Sequence, residues 1–142
     1  MKINWKNRIT PDEITELKLN EIFTYGDNEA HRHGKGAAKT AMKWGAKYGQ
    51  GGLVGRTYGI PTKDRTVKRT LSIAEIKVYV DKFLPVVKEH PELIFMITEI
   101  GCGLAGHKHK DIAPLFEAFI ELENVHLPRR FWRFLVDVND DI

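Results

Sequence analysis

The chain has 142 residues, of which 42% are hydrophobic and 29% charged, with a formal net charge of +3 and a pI near 9.0. That balance excludes a disordered chain, leaves enough apolar material for a core, and contains no apolar run near the roughly 18–20 residues of a membrane span. With one cysteine, Cys102, and no apolar secretory segment in the first ten residues, the expectation is a cytoplasmic, disulfide-free protein forming a single domain over residues 1–142.

Thr10-Pro11-Asp12-Glu13 has the form of a helix start, with Thr10 as cap, Pro11 in the first turn and Glu13 closing a capping box. That helix is expected to end near Lys18. "EIFTYG" (21–26) follows as a buried strand ending at Gly26, and "GAAKTAMKWGAK" (36–47) as a helix. "GQGGLVG" (49–55) is a glycine loop, and "TYGIP" a short strand stopped by Pro61. Ser72 and Glu75 form a second capping box, opening a helix that puts Ile73, Ile76, Val80, Phe83 and Leu84 on one face. Pro85 is expected to kink or divide it. "LIFMITEI" (93–100) has the continuous apolar character of a central strand covered on both sides. "GCGLAG" (101–106) is a tight turn, Asp111 a cap for a helix running to about Glu121, and "NVHLP" (124–128) a last short strand.

Strands alternating with helices predict a layered α/β fold with a mostly parallel sheet, in which ligands bind beyond the carboxyl ends of the strands. Two glycine-rich turns are expected at that rim. In the first, Gly34 and Gly36 permit close backbone approach, the following helix start presents free N–H groups, and Arg32 and Lys35 add positive charge. Asn28, at the strand end, has an amide able to hold a ribose hydroxyl. The second turn, Gly101 to Gly106, repeats the strand–glycine–helix arrangement, so the pair is suited to two linked phosphates without a metal. Neither turn matches a Walker loop or a GxGxxG fingerprint.

Several stretches resemble the macrodomain family of ADP-ribose-binding modules. "ITELKLNEIFTYGDN" is similar to the family's opening segment and buried strand, and "HGKGAAKTA" to its glycine-rich stretch and helix. "GRTYGIPTKD" is similar to its middle strand, and "ITEIGCGLAGHKHKDIAPLFEAF" to its final strand, glycine loop and helix. The order and spacing agree over most of residues 12–122. Through "HGKGAA", "YGIPTKD" and "GCGLAG", the chain is still more similar to small uncharacterised phage and bacterial macro-like proteins. The resemblance implies a three-layer α/β/α sandwich with a mixed, mostly parallel sheet that binds ADP-ribose or a related nucleotide diphosphate, linear or cyclic. It implies a ligand set of Asn28, His33, Gly34, Lys35 and Gly36 from the first loop. The second loop would supply Gly101, Cys102, Gly103, Leu104, Ala105 and Gly106. Asp12, Glu13 and Ile14 would form the adenine side. The chain departs from the family in having Glu13 immediately before Ile14-Thr15, one extra residue in "TYGDN", and His31 and His33 in the first loop.

Other readings stand beside this one. "HRH" (31–33) and "HKH" (107–109) are His-x-His pairs, but no carboxylate or thiol stands at a ligand spacing, and Arg32, Lys108 and Lys110 repel cations. Neither a metal nor a cofactor is therefore expected. Cys102, in a glycine turn near a helix start, has the setting of a lowered pKa but no evident base. Asp27 is the candidate general acid–base of an ADP-ribosyl or phosphoribosyl hydrolase. A phage-type sponge sequestering a nucleotide signal is a third reading. Nucleic-acid binding is a fourth, because residues 35–69 hold nine lysines and arginines against Asp64 alone, and "RRFWRF" (129–134) interleaves cations with aromatics. For that last motif a core role for Phe131 is the preferred expectation.

Overall fold

A computed structural model of the protein describes residues 3–137. It is α/β, built on a six-stranded mixed sheet with strand order β1-β6-β5-β2-β4-β3. The strands are β1 (Ile9–Thr10), β2 (Glu21–Asn28), β3 (Gly52–Val54), β4 (Thr57–Lys63), β5 (Ile94–Ile97) and β6 (Val125–Pro128). Every pairing is parallel except β3 with β4. The helices are α1 (Gly36–Ala41), α2 (Ile73–Glu89), α3 (His109–Ile112) and α4 (Arg129–Trp132), with 3-10 segments at Trp5–Asn7, Met42–Trp44 and Ala113–Phe119.

β2 is the longest strand, and its alternation serves two cores. Ile22 packs on one face with Ile60, Phe95 and Ile97 against Ile76, Val80, Phe83 and Val87 of α2, and against Phe116, Phe119, Phe131 and Trp132. Phe23 and Tyr25 turn to the other face, where Ala38, Ala41, Ala46, Trp44, Ile14 and Leu17 cover them. Helical layers on both sides of the sheet are thus dictated by a strand that is apolar in both directions. Among the described residues, no helix is long and apolar enough to cross a membrane.

A buried arginine draws the two ends of the described chain together. The Arg8 guanidinium donates to the carbonyls of Val125 (2.9 Å), Ile120 (2.6 Å) and Phe119 (3.1 Å), and Trp132 Nε1 donates to the Arg8 carbonyl at 2.7 Å. Burying a guanidinium is tolerable because these acceptors replace its water.

Several expectations need correcting. No helix starts at Thr10: Thr10 is buried in β1, and residues 11–20 are irregular, because pairing of Ile9 and Thr10 with Leu127 and Pro128 takes the backbone that the cap required. β2 runs two residues past Gly26, to Asn28. The helix from Gly36 tightens to 3-10 at Met42 and stops at Gly45, whose φ of 102° is a left-handed cap. Pro61 does not end its strand. Arg56 turns its carbonyl to Phe23 of β2, so residues 57, 59 and 61 turn their backbone groups outward, and β3 reaches only to Gly59. Pro61 therefore sits in the gap between the β3 pairing and the Lys63–Thr70 bridge, where its missing N–H is tolerated. The helix after the second glycine loop begins at His109, has no side-chain cap from Asp111, and becomes 3-10 from Ala113. In "RRFWRF", Phe131 and Trp132 are fully buried while Arg129, Arg130 and Arg133 face outward, leaving only Phe134 as an exposed ring.

The Ser72 capping box forms as expected, with Glu75 N–H donating to Ser72 Oγ at 3.2 Å and Ser72 N–H to Glu75 Oε1 at 2.9 Å. α2 then passes unbroken through Pro85. Pro85 and Asp81 are not part of the buried core, so the carbonyl that loses its helical donor lies toward solvent. Pro85→Ala restores that bond and is expected to stabilise the protein by about 1–2 kcal/mol, after the unfolded-chain entropy of proline is deducted. A higher urea midpoint with an unchanged slope is the result to look for.

Candidate functional site

Because β2, β4 and β5 run parallel, their carboxyl ends open on one rim, and the segments leaving them enclose a cleft of about 940 Å³. The volume suits a small-molecule ligand. Gly34, Lys35 and Gly36 line it from the first loop, and Gly101, Cys102, Gly103, Leu104 and Ala105 from the second. A Cβ at Gly36 would come within 3.3 Å of Leu104 Cδ1, so the two loops are in contact at one side of the cleft.

Both loops present unpaired donors. The amides of Gly34, Lys35, Gly36, Ala37 and Ala38 bond to no protein group among the described residues, as expected where a helix starts. Those of Gly101, Gly103, Leu104 and Ala105 are likewise unbonded, while Gly106 N–H donates to the Gly103 carbonyl and His107 N–H to that of Gly101. Gly101 requires glycine twice over: its φ is +79°, and a Cβ there would lie 2.9 Å from Ile112 Cδ1.

The charges of the cleft are asymmetric. Its two carboxylates are occupied. Asp27 Oδ2 accepts from His31 Nδ1 at 2.7 Å, while Glu99 accepts from Arg130 Nη1 at 2.8 Å and from the His109 imidazole. Arg32, Lys35 and Lys63 line the same space and form no ion pair among the described residues. A cleft with free amides, three cations in no ion pair among the described residues, and two carboxylates each held by a basic side chain, Asp27 through Oδ2 only, favours an anion.

The predicted residues separate into those the fold brings together and those it does not. Asn28 lines the cleft, but its amide is used within the protein. Its Oδ1 accepts from the N–H groups of Ala30 (3.2 Å) and Arg32 (3.0 Å), and its Nδ2 donates to the Arg32 carbonyl at 2.9 Å. It closes the loop. Asp27 lines the cleft with a fully buried side chain, and its Oδ1 has no hydrogen-bond partner. His33 does not line the cleft. It is buried behind the loop, 3.0 Å from the Tyr25 hydroxyl and edge-on to Tyr48. Gly106 shapes its turn without lining the cleft. Glu13 and Ile14 line a different groove of about 640 Å³ with Met96 and His126, and Asp12 is exposed outside both. The expected adenine side is therefore absent from this cleft, because residues 11–20 pass over the sheet as an irregular segment.

Sequence reasoning missed Tyr48, Thr62, Lys63, Val67, Thr98 and Glu99, all of which line the cleft. Reading β4 through Pro61 to Lys63 puts Thr62 and Lys63 at the rim at once; ending the strand at the proline hid them. Val67 has a φ of +66°, unfavourable for a β-branched residue, and its turn is held by Asp64, which accepts from Thr66 N–H, Thr66 Oγ1 and Arg69 N–H.

The four histidines of the two His-x-His pairs are each engaged: besides His31, His33 and His109, His107 Nε2 donates to the Leu71 carbonyl at 2.7 Å. Among the described residues, no group of three or more His, Cys, Asp or Glu side chains is arranged to hold a metal ion. Burial, with a smaller contribution from Glu99, pushes the Cys102 thiol up to about 11, opposite to the lowering its position in a glycine turn suggests. The Tyr25 phenol is also raised, by burial and then by Asp27, and the Tyr79 phenol is pushed up to about 12 by its hydrogen bond to Glu29. Comparison of the chain with protein-family models, with curated proteins and with solved structures gave no match.

At pH 8 a thiol titrating near 11 is almost entirely protonated. Iodoacetamide should alkylate Cys102 in the folded protein about a hundredfold more slowly than a free cysteine at pH 8, with the rate rising about tenfold per pH unit up to about pH 11. Alkylation at the free-thiol rate at pH 8 contradicts this.

Proposed function

We propose that this cleft binds ADP-ribose or a related nucleotide diphosphate, linear or cyclic, with the phosphates held between the two glycine loops. The observation that carries the proposal is the convergence on one cleft of amides unbonded among the described residues, from Gly34–Ala38 and from Gly101, Gly103, Leu104 and Ala105, with Arg32, Lys35 and Lys63 in no ion pair beside them. Phosphate oxygens are the ligand atoms that such a set of donors and cations satisfies. The resemblance of the same stretches to macrodomains supports the reading from the sequence side. It supports the anion site more than the base site, since Glu13 and Ile14 lie elsewhere.

Gly103 gives the sharpest test. A Cβ there meets nothing within 4 Å, and its φ is not positive, so a larger side chain enters the cleft without straining the fold. Calorimetry with ADP-ribose, AMP, cyclic nucleotides and NAD should find a ligand for the native protein. Gly103→Val should weaken it by tenfold or more while leaving thermal stability nearly unchanged. No heat from any of these ligands at millimolar concentration refutes the reading.

One observation favours hydrolysis as a second reading. Asp27 Oδ1 lies in the cleft wall, buried and with no partner, so it can accept a proton or orient a hydroxyl of a bound ribosyl group once the first loop shifts to uncover it. Were this correct, Asp27→Asn would abolish release of ADP-ribose from an ADP-ribosylated substrate; unchanged turnover removes Asp27 from the chemistry.

A further inference from the structure

We infer that the cleft has a ring-binding subsite centred on Tyr48, and that its ligand carries a planar base stacked there rather than over residues 12–14. The inference rests on the nucleotide reading above and adds where the base lies. Tyr48 lines the cleft with 64% of its surface exposed, a large aromatic area left open to solvent. Its orientation is nevertheless held. The buried ring of His33 meets it edge-on, with centroids 6.3 Å apart and planes at 74°, and His33 is itself fixed by the Tyr25 hydroxyl. The backbone beside it is also pinned, because Gly49 N–H donates to the His31 carbonyl at 2.8 Å.

Two further apolar side chains belong to the same opening. Leu104, from the second glycine loop, is 69% exposed, and Val67 is held in its unfavourable backbone conformation by the Asp64 turn. With Ala37, Ala38 and Ile100, which also line the cleft, Tyr48, Val67 and Leu104 give it a substantial apolar part beside its amides and cations. A bare phosphate or a sugar phosphate has no use for them. A heteroaromatic ring does, since it stacks on an aromatic face and is walled by aliphatic groups while its phosphates reach the amides. The guanidinium of Arg32, which also lines the cleft, provides a cation to face the ring or the first phosphate.

The test compares ADP with inorganic pyrophosphate, by calorimetry, in the native protein and in Tyr48→Ala, Tyr48→Phe and Glu13→Ala. Tyr48 and Glu13 are both exposed, so all three variants are expected to fold. The native protein should bind ADP about tenfold or more tightly than pyrophosphate, which is the scale of one base–aromatic stack. Tyr48→Ala should bring the two affinities together, Tyr48→Phe should keep them apart, and Glu13→Ala should change neither. Equal native affinities, or an ADP advantage that survives Tyr48→Ala, overturns the subsite while leaving the phosphate clamp standing. Loss of that advantage in Glu13→Ala alone moves the base to the other groove and overturns it too. If neither ligand binds, the nucleotide reading fails and the subsite with it.

Discussion

Parallel hydrogen bonding of β2 between β4 and β5 is the constraint on which the site depends. Phe23 is paired with Thr57 on one side and Met96 on the other, so three strands travel together and finish on the same side of the molecule. Two turns far apart in sequence become opposite walls of one cleft for that reason alone. The pairing even outlasts β5 itself: Thr98 donates to the Thr24 carbonyl through both N–H (3.0 Å) and Oγ1 (2.8 Å), delivering the chain to Gly101 in register. The register shifts at Asp27/Asn28, and β2 stays paired with β4 to Asn28 and Lys63, where the first loop departs.

Within that frame the polar residues divide into groups that shape the cleft and groups left for a ligand. Asn28, His31, His33, His107 and His109 are all engaged in internal bonds and serve as fasteners of the two loops. Tyr79 adds another, donating to Glu29 and so tying α2 to the segment leaving β2. With Asp27 Oδ2 and both oxygens of Glu99 held by these contacts and by Arg130, the free donors of the cleft are backbone amides and three cations. Such an arrangement needs little reorganisation to accept an anion, which keeps the entropic cost of binding low.

Much of this is legible in the sequence, for identifiable reasons. The apolar runs of β2 and β5, the Ser72–Glu75 capping box and the two glycine turns each carry a strong local signal, and each is found, although β2 runs on to Asn28 and β5 covers only Ile94–Ile97 of the run 93–100. The departures lie where tertiary contacts outweigh local preference. Thr10-Pro11-Asp12-Glu13 has good helix-capping chemistry, yet two residues of pairing with β6 override it. Pro61 reads as a stop unless one knows that it lies past the end of β3. The histidines draw attention as ligands because their partners, Asp27, Tyr25, Leu71 and Glu99, include residues distant in sequence or ordinary in type. Tyr48 offers no signal: a tyrosine in a glycine-rich segment acquires meaning only when the opposite wall is known.

The outward-facing Pro61 has a consequence beyond strand length. An exposed sheet edge is a template onto which another chain can add a strand, and proteins with long bare edges are prone to self-association. Here the outermost strands are only two residues (β1) and three residues (β3) long. Past Gly59, where β3 gives out, the next outward-turned residue is a proline with no N–H to offer, and beyond it the strand end is covered by residues 69–71, with Leu71 N–H donating to the Thr62 carbonyl at 2.8 Å. Each side of the sheet therefore presents a ladder too short to nucleate aggregation, and the long, apolar β2 that builds the cleft is kept at its centre.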